Sequence, residues 1–317
     1  MSGGATSAPS ISVVVPVYGC IACLGTLCEQ LEAQLSQLTD RFEIILVDDR
    51  SPDNSWSRFP ALQQDHPSVK GIRLSRNYGQ HIAITAGLSA ARGDCVVVMD
   101  CDLQDPPGLI PQLLTRLQEG YDLVLAKRVV RNHSGFRVAA ARLYFRLLGK
   151  VSGNPVDGSF GTFSILSRKV VDAFLRFEEK ERHYLFILRW LGFEAGIVEY
   201  EHQPRAFGES SYTFARLVRH AIDGILFQAT ALLRWIVSLG FVFALSGMAA
   251  AAYFAWRAFF RTALPGWTSL VVLVLVCTGV ILVSLGVIGL YVGKIFDQAK
   301  QRPLYVVDKV VDAKRGW

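Results

Sequence analysis

Asp100-Cys101-Asp102 follows the apolar run Cys95–Met99. In an extended segment residues i and i+2 point the same way, so the two carboxylates converge where the run ends. Hard oxygen donors of this kind suit Mg2+ or Mn2+, ions that commonly bridge one or two carboxylates to substrate phosphates. Gln104 and Asp105 add oxygens, and the turn signal Pro106-Pro107 closes the segment. An Asp-x-Asp alone is common in surface loops; the strand-end position gives this one its weight. Asp48 and Asp49 follow Glu43–Val47 in the same manner. As buried acceptors they can take hydrogen bonds from a base or ribose. Ser51, Asp53 and Asn54 behind them are candidates for capping a helix instead. In Ser75–Leu88, Arg76 can face phosphate, while His81 fits a hydrogen-bonded structural role. Cys20, Cys23 and Cys28 have no convergent His and lie in a helical stretch, so reduced structural thiols are expected.

These residues need a scaffold that gathers strand ends. Short β-branched runs occur at 11–15, 43–47, 69–74, 95–99 and 122–126. Helical stretches at 20–38, 79–92 and 108–119 separate them. Such alternation predicts an α/β domain with a mainly parallel sheet. In sheets of this class ligands bind at the carboxyl ends of the strands. PVYG, DDRSPDNS and DCDLQDPP all fall there. No GxGxxG follows a strand and no GxxxxGK[ST] occurs, which removes the main support for dinucleotide-binding and P-loop readings.

The 317 residues are 51% hydrophobic and only 19% charged, with mean hydropathy +0.31. That composition excludes a disordered chain and points to a membrane part. The net charge of +6 favours acidic partners such as nucleotides, phosphates or anionic lipid. The six cysteines do not form the pattern of a disulfide scaffold. Residues 1–10 are small and polar and are expected to be a disordered tail without a cleavable signal. Trp235–Trp256 and Thr262–Gly293 carry no charge. A span takes about 20 apolar residues, so two transmembrane helices are expected at 235–256 and 268–292. Two spans put both ends of the chain on one side. Arg216, Arg219, Arg234, Lys294, Lys300 and Arg302 bias that side to the cytoplasm, against Arg257 and Arg261 in the intervening loop. Residues 213–234 mix apolar residues with Arg216, Arg219 and Asp223. They fit an interfacial amphipathic helix or a helix packed on the soluble domain. Residues 293–317 are expected to form a cytoplasmic tail.

PVYG, VDDRSPDNS, SRNYGQHIAITAGL, MDCDLQDPP, the Asp157 segment and RAFGESSY stand in an order that resembles one family. It is similar to family 2 glycosyltransferases with a polyprenyl phosphate acceptor, among them dolichol-phosphate mannose synthases and bacterial undecaprenyl-phosphate glucosyl and aminoarabinosyl transferases. The likeness covers roughly residues 11–230 and implies a GT-A type catalytic domain over 11–212. It also implies inverting transfer of a sugar from a nucleoside diphosphate sugar, a UDP-sugar foremost, to undecaprenyl phosphate. The setting it implies is the bacterial cytoplasmic membrane, with Mg2+ or Mn2+ as cofactor, a homo-oligomer allowed and nucleic acid excluded. Carried over by motif, Pro16, Tyr18 and Asp48 would line the nucleoside pocket, with Asp49 and Asp100 beside them. Asp100, Asp102 and Gln104 would hold metal and diphosphate, and Arg205 and Ser210 would clamp phosphate. Arg128 and Arg131 would meet the lipid phosphate. Asp157 matches a residue proposed as base in such enzymes; a phosphate monoester with a second pKa of about 6 scarcely needs one, so an orienting role suits it better. Several positions depart from the family pattern. Cys20 stands near a common acidic residue, Arg50 replaces a usual Gly, Ser211 replaces a Lys, and GSFGTF follows Asp157 where an arginine is commoner. Transfer to another lipid or glycan acceptor, or a non-catalytic nucleotide-sugar-binding subunit, are the competing readings.

Overall fold

A computed structural model describes residues 8–129, 159–180, 182–201 and 267–312, with single positions between 240 and 256. The chain divides into two compact units. One holds the described residues up to 201 and again from 303; the other holds those from 240 to 302.

The first unit is built on eight strands: β1 (Ile11–Val17), β2 (Phe42–Asp48), β3 (Val69–Leu74), β4 (Cys95–Val98), β5 (Leu123–Val129), β6 (Phe160–Ser167), β7 (Ala195–Glu201) and β8 (Val307–Val311). They form one sheet in the order β7-β5-β6-β4-β1-β2-β3-β8. β1 pairs in parallel with β2 and β4, β2 with β3, and β5 with β7. β6 runs antiparallel between β4 and β5, and β8 antiparallel along β3. The sheet is therefore mixed and mostly parallel, as expected for an α/β domain.

β1, β2 and β4 are buried along their whole length because both faces are covered. Alternate residues divide between two cores. Val13, Val15, Ile44, Leu46 and Val97 pack with α1 (Leu24–Leu35). α4 (Ile110–Gln118) joins the same cluster. Val14, Ile45, Val47, Val96 and Val98 pack on the other face with α3 (Gln80–Ala90), α5 (Arg168–Leu175) and α6 (Tyr184–Leu191). A short α2 (Phe59–Asp65) precedes β3. β1 lies between β2 and β4, so the connections diverge at its carboxyl end and open a crevice there.

Three boundaries are corrected. Ser10, assigned by composition to the tail, is buried; its amide and hydroxyl both donate to Asp94 Oδ2 (3.0 and 2.7 Å). The helix expected over 20–38 begins at Leu24, because residues 21–23 form a turn whose Ile21 amide donates to Asp53 (2.8 Å). Residues 293–317 do not form a simple tail. Those up to Ala299 continue a helix, α7 (Trp267–Ala299), and Val307–Val311 join the sheet, where β-branched residues meet the open edge of β3.

In the second unit, Cys277–Ala299 within α7 is the one helix among the described residues long and apolar enough to cross a membrane, with mean hydropathy 2.0. Leu273, Ile281, Leu285 and Phe296 on it are exposed. The segment 213–234 and nearly all of the first apolar run, 235–256, lie outside the described residues.

Candidate active site

β4 ends at Val98, and one further backbone bond, Met99 N to Val14 O (3.1 Å), carries the chain to Asp100 at the crevice. Asp100 Oδ1 accepts from Gln80 Nε2 at the start of α3 (2.6 Å) and from Thr162 Oγ1 on β6 (2.8 Å). Its Oδ2 lies 3.8 Å from Arg128 Nη2 on β5. Partial burial and the Asp105 charge push Asp100 up to about 6, against the pull of Thr162 and Arg128. Asp102 Oδ1 accepts from the Gln104 amide (3.2 Å), and Leu103 between them has φ +61°. A branched residue held in the left-handed region is strained backbone of the kind that gathers at ligand sites.

Asp105 lies behind Arg128's guanidinium as one of its partners. It is wholly buried and accepts from Arg128 Nη2 (3.3 Å) and from the Tyr200 hydroxyl on β7. Arg128 Nε also donates to Tyr200 Oη (3.0 Å). Burial opposes the guanidinium charge, but Asp105, Tyr200 and Asp100 outweigh it and raise the Arg128 pKa. Burial and Asp105 in turn raise the Tyr200 phenol. A side chain on Gly161 would meet Arg128 Nη2 at 2.7 Å, so glycine leaves the guanidinium its place over β6.

The second acidic pair is tied into the scaffold. Asp48 is 1% exposed; Oδ1 accepts from the Ser51 amide (2.9 Å) and Oδ2 lies 3.5 Å from Arg73 Nε. Asp49 accepts from the Tyr78 and Gly79 amides (2.7 and 2.8 Å), which fastens the loop between β3 and α3. Burial raises the Asp49 pKa, partly offset by those amides. Pro16 is buried in β1 beside Val47, and Tyr18, just past it, is half exposed. Arg50, where the family pattern has Gly, adopts φ +59°.

Among the expected site residues, then, Asp100, Asp102, Gln104 and Arg128 come together, with Tyr18 and Asp48 at neighbouring strand ends. Arg128 faces Asp100 and Asp105 here, where the resemblance implied lipid phosphate. Asp105, expected among the metal oxygens, serves Arg128 instead. Asp157, Arg131, Arg205 and Ser210 lie outside the described residues. Gln80, Thr162 and Tyr200 were not singled out from the sequence; they reach the site through helix placement and sheet order, which no local motif records. His81 takes the structural role expected of it, accepting from the Tyr184 amide (3.4 Å) beside the His183 ring. Arg76 lies against the Tyr78 ring, 4.6 Å from its centre. Cys20, Cys23 and Cys28 are free and buried, and burial pushes Cys28 up to about 12. No group of three or more His, Cys, Asp and Glu converges among the described residues.

The sequence model described as Glycosyl transferase family 2 matches residues 12–175, slightly over half of the chain. The chain is 35% identical over 302 residues to the uncharacterized glycosyltransferase YkcC of Bacillus subtilis, covering 94% of this chain and 93% of that protein. It is 34% identical over 310 residues to the undecaprenyl-phosphate 4-deoxy-4-formamido-L-arabinose transferase of Proteus mirabilis, covering 96% and 95%. The transferase of the same name from Serratia proteamaculans is 35% identical over 309 residues, covering 95% and 94%. Among solved structures, glucosyl-3-phosphoglycerate synthase of Mycobacterium tuberculosis with Mg2+ and UDP aligns with TM-score 0.49 and 19% identity, over 70% of this chain and 79% of that one.

Proposed function

Because the chain belongs to glycosyl transferase family 2, we propose that it moves a sugar from a nucleoside diphosphate sugar to a polyprenyl phosphate at the cytoplasmic face of a membrane, inverting the anomeric carbon. The observation that carries the donor half is the Asp100 arrangement: a strand-end carboxylate oriented by Gln80 and Thr162 and faced by Arg128. The names of full-length relatives support the polyprenyl phosphate half.

The donor set fits a hard divalent cation. Asp100 and Asp102 present carboxylates two residues apart at the crevice, and Asp100 Oδ2 faces a guanidinium only at 3.8 Å. Mg2+ needs only one or two carboxylates when substrate phosphates complete its shell, so two carboxylates suffice. Asp100 and Asp102, with Gln104, would hold Mg2+ or Mn2+. Such an ion supplies a Lewis acid that neutralises charge gathering on the leaving diphosphate. The chain's own residues do the rest. Gln80 and Thr162 hold the Asp100 carboxylate in one orientation. Arg128, fixed by Asp105 and Tyr200, adds positive charge where the diphosphate departs, a contribution larger in the transition state than in the ground state. Tyr18 offers an exposed ring at the end of β1 for the base. Asp48, buried and paired with Arg73 (3.5 Å), supports the strand end behind that ring. The acceptor phosphate is already largely ionised at neutral pH, so Asp157 orients it and need not take a proton.

Purified full-length protein in detergent, given labelled nucleotide sugars of the UDP, GDP and dTDP series with Mn2+, should transfer label to undecaprenyl phosphate and not to diacylglycerol. Label that reached another acceptor would overturn the acceptor assignment. A protein that bound nucleotide sugar but turned over none would overturn the enzyme reading.

A further inference from the structure

β8 is the last strand among the described residues, yet it lies beside the loops that carry the Asp100 arrangement. Val306 O accepts from the Ser75 amide (2.9 Å), where the β3–α3 loop begins. The Tyr305 hydroxyl bonds Ser89 Oγ on α3 (2.6 Å). Asp308 pairs with Arg50 (3.2 Å), the residue directly after Asp49. Asp49 in turn holds the Tyr78 and Gly79 amides, and the next residue, Gln80, donates to Asp100. A continuous series of contacts thus runs from Tyr305–Asp308 to the carboxylate at the centre of the site. Farther along, Lys70 and Asp312 form a looser pair at 3.8 Å, at the end of β3 away from the crevice.

We propose that the segment Tyr305–Asp308 is a positioning element of the donor site: by gripping Arg50, Ser75 and Ser89 it holds the Asp49-clamped loop so that Gln80 meets Asp100. The proposal rests on the donor reading above and extends it to residues over 200 positions away in sequence. Arg50 gives the strongest handle. Its backbone is held at φ +59°, where most side chains are disfavoured, and its guanidinium is spent on β8. A glycine there would relieve the backbone and lose the tie.

Full-length protein in detergent tests this through two readouts. One is hydrogen exchange at the Tyr78 and Gly79 amides; the other is the affinity for UDP and for GDP with Mn2+ by calorimetry. Asp308→Arg sets like charges against Arg50. It should speed exchange at both amides and weaken nucleotide binding about fivefold, the scale of one exposed ion pair and its hydrogen bond. The reversed pair, Arg50→Asp with Asp308→Arg, should restore both to within about twofold. Lys70→Ala should change neither. Unchanged exchange or unchanged affinity in Asp308→Arg would overturn the proposal, as would an equal loss in Lys70→Ala or no recovery in the reversed pair. If the wild-type chain bound neither nucleotide, the donor reading and this role would fall together, an outcome recognised because no variant is needed to see it.

Discussion

Asp100 carries a carboxylate pushed up to about 6, so a proton competes with any cation for it just below neutrality. The sign follows from the shift. Above about 6 the group is charged and costs the metal-free fold stability; as pH falls through 6 that cost is relieved, while the cation site is lost. Affinity for Mn2+ with nucleotide should therefore drop about tenfold between pH 7 and pH 5, measured by calorimetry. Thr162→Val, which removes a donor to the carboxylate, should move the midpoint upward. A midpoint unmoved by Thr162→Val would detach Thr162 from the site. Asp102→Asn should lower turnover at least about a hundredfold with the thermal midpoint little changed. Turnover near wild type would remove the carboxylate pair from the reaction. The pair was legible because i, i+2 spacing at a strand end is local. The partners Gln80, Thr162, Arg128 and Tyr200 were not, or were assigned elsewhere, because residues 20 to 100 positions away converge only through the sheet order.

At the scale of elements, the β-branched runs located β1–β5 to within three residues of each boundary, since buried parallel strands need continuous apolar sequence. β6, β7 and β8 escaped. AGIVEYE places Glu199 and Glu201 within β7, and FGTFSILS carries Thr and Ser into a buried antiparallel strand where Ser164 is satisfied by Tyr184 (2.7 Å). Polar residues with such partners do not look like core in sequence. α3 shows the opposite case, buried without interruption from Ile82 to Leu88. A Cβ at Gly87 would lie 2.2 Å from Val14 Cγ1 and 3.2 Å from Val47 Cγ2. Gly87→Ala gains up to about 1 kcal/mol in helix propensity, but overpacking costs about 1–3 kcal/mol. The clash is with side chains on two central strands that have no room to move, so the variant should melt lower by about 2–6 °C. It should also lose activity, because Gln80 begins the displaced helix. A higher melting temperature would mean that the helix can shift at no cost.

For the whole molecule, β7 and β8 belong to one sheet, so the chain between residues 201 and 307 must leave and return on the same side of any membrane it enters. An even number of crossings is required. If α7 makes one, we propose that the uncharged run Trp235–Trp256 makes the other. Cysteines placed in Thr262–Gly266 should label from outside intact cells, and one at Lys309 only after permeabilisation. Outside labelling at Lys309 would put the sheet on the wrong side for cytoplasmic nucleotide sugars. A chain stopped after Arg302 should bare the β3 edge and form larger species in light scattering than the full chain in the same detergent. The placement of β8 also orders events in time. A ribosome delivers the strands bearing Asp48 and Asp100 early, and Val307–Val311 only after every residue of α7 has been made. The sheet therefore waits, with one edge open, for residues that follow α7 in the chain. The loop between β3 and α3 gains its support from β8 only once the long apolar helix has left the ribosome, so synthesis itself delays completion of the sheet until that helix exists.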